Sequence, residues 1–299
     1  FLSNNFKILI FVFSILLISI YAAKNHDDFP YYHFPYAHIL TEHSGLIGIG
    51  NFNHGFRTPS SIFYLSSLFY LPFIKYFLFH ITPVFFLGFA NLVLYKKIKE
   101  NLKEQKNLYI IFLSLFSLVL INIFFYRIGE HGTDRSAMIL IMILVIEIMY
   151  LINFEKIYEK NRILKLLILI SIIFSLKAFY IIYCILFFLI FFYYVKKKEL
   201  ILFLIKDKVV YLCVGLILIV LATNFLNSGC IIYPAKFLCN ENFQWAIPLS
   251  EVELMNNWYQ QWSKAGASPN FSVEDPEKYI QHFNWVANWF QMYFFNKVS

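Results

Sequence analysis

Charge is scarce in this chain. Only 14% of its residues are charged against 60% hydrophobic, and the mean hydropathy is +0.62. Soluble domains carry about 25% charged residues, so the polar groups present cannot cover a folded surface in water, and lipid must supply part of the solvent. Cysteine is scarce too, at 4 positions, and no Cys/His spacing matches a structural zinc site. There is no Walker loop, no Gly-rich dinucleotide fingerprint and no nucleophile-elbow serine. These absences leave nucleotide-sugar use and serine hydrolysis without support. An initial Met is also lacking, and the chain stops at Ser299 just after an aromatic stretch. It is expected to be a fragment, truncated before further membrane helices.

What charge there is has a pattern. The net charge of +7 would suit nucleic acid if it were spread over one face. Instead, Lys and Arg gather in blocks at Lys96–Lys106, Lys156–Lys165 and Lys196–Lys208, each between apolar runs. Cytoplasmic loops of membrane proteins accumulate these residues, so the blocks report topology, and no nucleic-acid partner is expected.

A membrane-crossing helix needs about 20 apolar residues. Phe6–Ala23 is the first such run, read as a retained helix because no small-residue cleavage site follows Tyr21. Lys24–Ser61 is a polar outer loop. Ile62–Tyr95 is too long for one span and is broken by Pro72 and Pro83. An odd number of crossings is needed between an outer loop and an inner Lys96 block. Ile62–Phe73 is therefore expected to lie in the interface, with the crossing at Tyr76–Tyr95. Further crossings fall at Leu108–Tyr126, Ser136–Ile152, Ile163–Leu176, Ala178–Val195 and Val209–Phe225. The expected fold is all-α, a polytopic transmembrane bundle of about seven spans over residues 1–226. An extracytoplasmic segment of mixed helix and loop follows over residues 227–299. That segment holds all 5 Trp residues, a type that favours the membrane–water interface.

Two charged constellations fall on the outer face in this topology. Asp27 and Asp28 follow the first helix beside His26, Tyr32 and His33. Adjacent carboxylates repel, which makes sense if one accepts a proton or binds a cation; a solvated helix end is the plainer alternative. The loop Arg127-Ile128-Gly129-Glu130-His131-Gly132-Thr133-Asp134-Arg135 is the second. Glu130, His131 and Asp134 are candidate metal ligands together with Asp28, the ion being Mg or Mn. Arg127 and Arg135 are candidate phosphate clamps, while Asp134 also suits a helix start. Arg57 suits a phosphate leaving group or anchorage to lipid head groups. Lys177, between apolar runs, suits a functional role or a snorkelling one. Cys230 and Cys239 stand 9 positions apart, and a disulfide between them requires an oxidising compartment.

The string Asp27-Asp28-x-x-x-Tyr32-His33-x-Pro35, followed by Gly48-x-Gly50-Asn51-x-x-His54-x-x-Arg57 and Ser60-Ser61-x-Phe63, resembles the glycosyltransferase C superfamily. More closely it resembles a bacterial family of large glycosyltransferase-like membrane proteins, and the likeness extends to Ser228-Gly229-Cys230-x-x-Tyr233-Pro234. The resemblance implies transfer of a sugar from a polyprenyl-phosphate donor to an extracytoplasmic glycan, lipid or protein acceptor, in the synthesis of cell-envelope glycan at the bacterial inner membrane. It implies Asp27 or Asp28 as general base or metal ligand; His33, His54, Arg57, Arg127 and Arg135 are the candidate substrate-binding residues. A transporter or flippase of lipid-linked glycans, or a non-catalytic membrane scaffold, is the alternative.

Overall fold

A computed structural model of the chain describes residues 2–22, 28–43, 45–104, 107–124, 132–153, 160–183, 185–186, 202, 204–268, 271–292 and 295. Its architecture is helical. The long helices are α1 (Leu2–Ala22), α4 (Ile81–Glu104), α5 (Leu108–Phe124), α6 (Gly132–Asn153), α7 (Lys160–Leu176) and α8 (Lys208–Ser228). Two short helices, α2 (Phe34–Glu42) and α3 (Ser61–Ser67), lie in the segment between α1 and α4, and α9 (Leu249–Ser263) follows α8. Among the described residues the one β ladder is an antiparallel pair, Ala267–Ser268 with Phe271–Ser272.

The long helices pack side by side. α4 contacts α1, α5 and α6; α6 contacts α7; α7 contacts α8. Leu87, Leu94, Ile121, Ile139, Leu144, Leu166 and Ile173 fill the space between them. Among the described residues three stretches are long and apolar enough to cross a membrane: Tyr76–Lys103, Thr133–Ile152 and Lys208–Ser228. The last has its apolar window only 11% buried by protein. Leu212, Val214, Leu218 and Ile219 on α8 are exposed. A helix apolar all round with so little protein cover needs lipid around it.

The expected count of about seven spans is not reproduced among the described residues. α5 and α7 have 17 residues each, about 26 Å of helix against a hydrocarbon core of about 30 Å. After Leu176 the chain makes a 3₁₀ turn, Ala178–Tyr183, where the crossing Ala178–Val195 was expected to start. The remainder of that stretch lies almost wholly outside the described residues.

The helix expected over Ile62–Phe73 is also corrected. α3 stops at Ser67, because a proline at 72 donates no N–H and disfavours helix in the residue before it. The chain turns instead, with the Lys75 N–H donating to the Leu71 carbonyl at 2.7 Å. α4 then starts at Ile81, with Pro83 in a first turn whose N–H groups need no helical partner. α4 runs past Tyr95 through Lys96, Lys97, Lys99 and Lys103, so this part of the basic block is helix rather than loop. Cations are favourable at a helix C-terminus.

Charged contacts sort the two ends of the bundle. At one end Lys97 of α4 pairs with Glu147 of α6 at 2.8 Å, both side chains mostly buried, and Arg162 of α7 lies 3.9 Å over the Tyr150 ring. The Lys96 and Lys156 blocks therefore share an end. The other end gathers the start of α6, the ends of α7 and α8, and the segment from Asp28 to Ser61.

Candidate functional site

The second end is built by the loop between α1 and α4 folding onto three helix termini. Ser60 caps α3 through the Ile62 N–H, and its hydroxyl donates to the Leu176 carbonyl of α7 at 2.6 Å. Ser61 shares a hydrogen bond with Ser175 at 3.0 Å. The Gly48 N–H donates to the Leu226 carbonyl of α8. Gly48 has φ +69°, and an added Cβ there would lie 2.7 Å from that of Trp245. Asn227 donates to the Tyr36 hydroxyl at 2.6 Å and to the Phe56 carbonyl at 3.2 Å.

Arg57 closes this junction. It is buried, with Nε donating to the Gly50 carbonyl at 3.0 Å, Nη1 to the Tyr233 hydroxyl at 3.1 Å and Nη2 to Glu251 Oε1 at 2.7 Å. Burial works to lower its pKa, but the bonds to Glu251 and Tyr233 offset this and leave it above its ordinary value. A guanidinium held in three directions is a structural clamp. Arg57, expected to meet a phosphate, is held here by these protein partners. The first-loop string and the later Tyr233 string, far apart in sequence, are joined through this one side chain.

Beside the clamp, acidic and phenolic groups converge. Tyr32 donates its hydroxyl to Asp28 Oδ2 at 3.5 Å. The Tyr32 pKa is pushed far up, first by burial, then by the nearby negative charges of Asp28 and Asp134. Asp134, in the first turn of α6, pairs with Lys177 just past α7, at 2.7 Å. Tyr259 of α9 is raised by burial, then by Tyr233; Arg57 lowers it, and Asp28 and Tyr31 add smaller upward effects. Asp28 thus bonds to Tyr32, the Asp134–Lys177 pair lies close enough for Asp134 to act on Tyr32 electrostatically, and Tyr259 feels both Asp28 and the clamp. Gly55 permits the packing, because a Cβ there would overlap the Tyr32 ring.

The other expected site residues divide. His33 is buried among aromatic rings, 5.3 Å from Phe63 and 4.3 Å from Tyr32 between centroids. It was expected to bind substrate, and here it lines a small cavity with Phe29, Phe63 and His80. His54 is exposed on the 3₁₀ turn His54–Arg57. Arg135 sits beside Asp134 in the first turn of α6. Asp27, Arg127, Glu130 and His131 lie outside the described residues. Among the described residues no three His, Cys, Asp or Glu side chains gather as a metal site, and Asp134 has its charge met by Lys177 instead.

A family model matches residues 1–299, the whole of the chain, under the description Domain of unknown function (DUF8201). The chain belongs to the DUF8201 family. No curated protein and no solved structure matches it. For this DUF8201 chain the site therefore rests on its own geometry.

That geometry includes residues that the sequence did not single out. Glu251 and Tyr259 are ordinary members of an amphipathic helix, and Asn227 is one of many asparagines. Their only signal was that the 228–234 string accompanied the first-loop string. Cys230 and Cys239 do form a disulfide, which closes the turn carrying Tyr233. Cys213 is free and buried.

Proposed function

We propose that this DUF8201 chain is a membrane glycosyltransferase that moves a sugar from a polyprenyl-phosphate donor to an acceptor hydroxyl on the extracytoplasmic face. One observation carries the reading: the Asp28 carboxylate accepts from the Tyr32 hydroxyl, and the charge of Asp134, which Lys177 binds, also acts on Tyr32. Tyr32 stays protonated and occupies one lone pair of Asp28, which orients the carboxylate. In this reading the Asp28 carboxylate accepts the proton of the acceptor hydroxyl. That oxygen then bonds to the sugar's anomeric carbon, the carbon–phosphate oxygen bond breaks, and the lipid phosphate departs. Lys177, half-exposed and already turned toward the site, meets the leaving phosphate in the role first expected of Arg57.

The orientation has separate support. Lys and Arg gather at the bundle end opposite the site, as cytoplasmic ends do. The disulfide near the site suits an oxidising compartment outside the cytoplasm. The proposal keeps about seven passes, reading α1, α5 and α7 as tilted crossings and retaining the crossing expected from the sequence at Ala178–Val195, and takes the membrane to be a bacterial plasma membrane with the site on its outer face.

The test is transfer from a synthetic polyprenyl-phosphate sugar by the full chain in lipid vesicles, alongside glycan analysis of a deletion strain. Asp28→Asn should lower transfer about 10²–10⁴-fold with normal membrane insertion. Full glycan from both Asp27→Asn and Asp28→Asn, and from the double variant, would remove the enzyme reading. Movement of a labelled lipid-linked glycan across the vesicle without transfer would replace it with a transporter.

A further inference from the structure

α9 has two working faces. Val252, Met255 and Tyr259 turn toward Cys230, Tyr233 and the clamp. Leu254, Trp258 and Trp262, spaced four residues apart, stay exposed on the other side. The chain returns across that side at Glu274–Glu277, and the two segments border an open cleft of about 600 Å³. Small-molecule sites fall within about 300–1,000 Å³.

The lining has a definite chemistry. Trp258 presents an indole 44% exposed, held in orientation by near-parallel stacking on Trp262 at 6.4 Å. Asn257 and Gln261 each offer an amide donor and acceptor, and Glu274 and Glu277 offer carboxylate acceptors. Asp275 is partly occupied in capping the turn Pro276–Ile280, accepting from the Lys278 N–H at 3.1 Å. No lysine or arginine lines the cleft among the described residues. A phosphate, sulfate or uronate would face carboxylates there without a counter-charge, and so would an anionic lipid head group. A purely apolar ligand would leave the amides and carboxylates unmatched. A sugar ring answers both parts of the lining: its C–H face suits a flat apolar platform, and its hydroxyls suit amides and carboxylates.

We infer that this cleft is a binding site for an uncharged or amine-bearing saccharide, with the Trp258 indole under the ring and Asn257, Gln261, Glu274 and Glu277 on its hydroxyls. Through Tyr259 the same helix reaches the Asp28 cluster, so a glycan held here lies against the element that also borders the proposed transfer site. Binding itself does not depend on transfer.

The experiment uses the full chain in lipid nanodiscs on an array of neutral, amino-sugar, phosphorylated and uronate-bearing oligosaccharides. Neutral or amino-sugar oligosaccharides should be retained. Trp258→Ala should lower their retention about tenfold or more, as should Glu274→Gln with Glu277→Gln, a pair that leaves the aromatic packing untouched. Trp262→Phe, off the cleft lining and still able to stack, should leave it within about twofold. Retention of no oligosaccharide, or only of phosphorylated or uronate forms, overturns the proposal. So does equal loss in Trp258→Ala and Trp262→Phe, which would make the stripe a membrane-interface contact. Glycan retention with no transfer activity would overturn the enzyme reading and leave this one standing.

Discussion

At the residue scale, protonation decides what each group can do. Tyr32 and Tyr36 are both raised, chiefly by burial, and each is neutral when its folded-state hydrogen bonds are made. A folded-state pKa above the unfolded value means that the folded form holds its proton more tightly. The stabilisation is complete below the ordinary tyrosine pKa of about 10 and is lost as pH rises above it. The thermal midpoint of the purified chain should therefore fall above about pH 10, and Tyr36→Phe should flatten that decline. An equal decline in the variant would mean that other groups control it. Arg57 is a second case at this scale. Arg57→Met leaves Glu251, 37% exposed, without its partner, and losing such a charged hydrogen bond typically costs about 1.5–3 kcal/mol. Arg57→Met with Glu251→Leu should recover much of the loss in a thermal melt. If Arg57 served mainly to hold phosphate, the single variant would melt normally and only transfer would fall.

At the scale of elements, the site depends on termini rather than on helix interiors. Ser60 caps one helix and bonds to the end of another, so Ser60→Ala should cost about 1–2 kcal/mol and loosen α3 from α7. Hydrogen exchange at Ile62 and Phe63 would report it. The disulfide acts on the turn after α8. A loop of this length is worth about 2–4 kcal/mol on closure, and Cys230→Ser with Cys239→Ser should free Tyr233 and weaken the Arg57 clamp while the bundle persists. Unchanged melting together with unchanged Tyr233 exchange would show that the clamp holds alone. The shortened α3 belongs here as well. An apolar run reads as one helix until proline chemistry divides it, and Pro72 ended this one earlier than the hydrophobic pattern implied.

At the scale of the molecule, the question is which end faces which compartment. Phe52 is exposed at the site end, and Leu102 is exposed near the end of α4. Single cysteines at these positions, in a background lacking the free native thiols, should label from opposite sides of a sealed membrane. Labelling from the same side would remove the odd number of crossings and reverse every later loop. Leu102 is preferred to its neighbour Asn101, which is buried and would be silent for the wrong reason.

The sequence by itself determined the solvent, since a chain with so few charges and such long apolar runs has no other way to cover its surface. It also determined where the basic blocks and the acidic strings lie along the chain, because the membrane imposes those at the level of composition. Helix lengths were legible only in part: a hydropathy pattern marks where lipid can be tolerated, not where the backbone stops donating hydrogen bonds. The site was beyond its reach. Arg57 reads as a phosphate ligand in isolation, and only the arrival of Glu251 and Tyr233 from the far end of the chain turns it into a clamp. Asp134 reads as a cap or a metal ligand, and only Lys177, just past the end of the next helix, supplies its partner. Buried charges take their meaning from whatever neutralises them, and those partners are chosen by packing across elements that no local pattern connects.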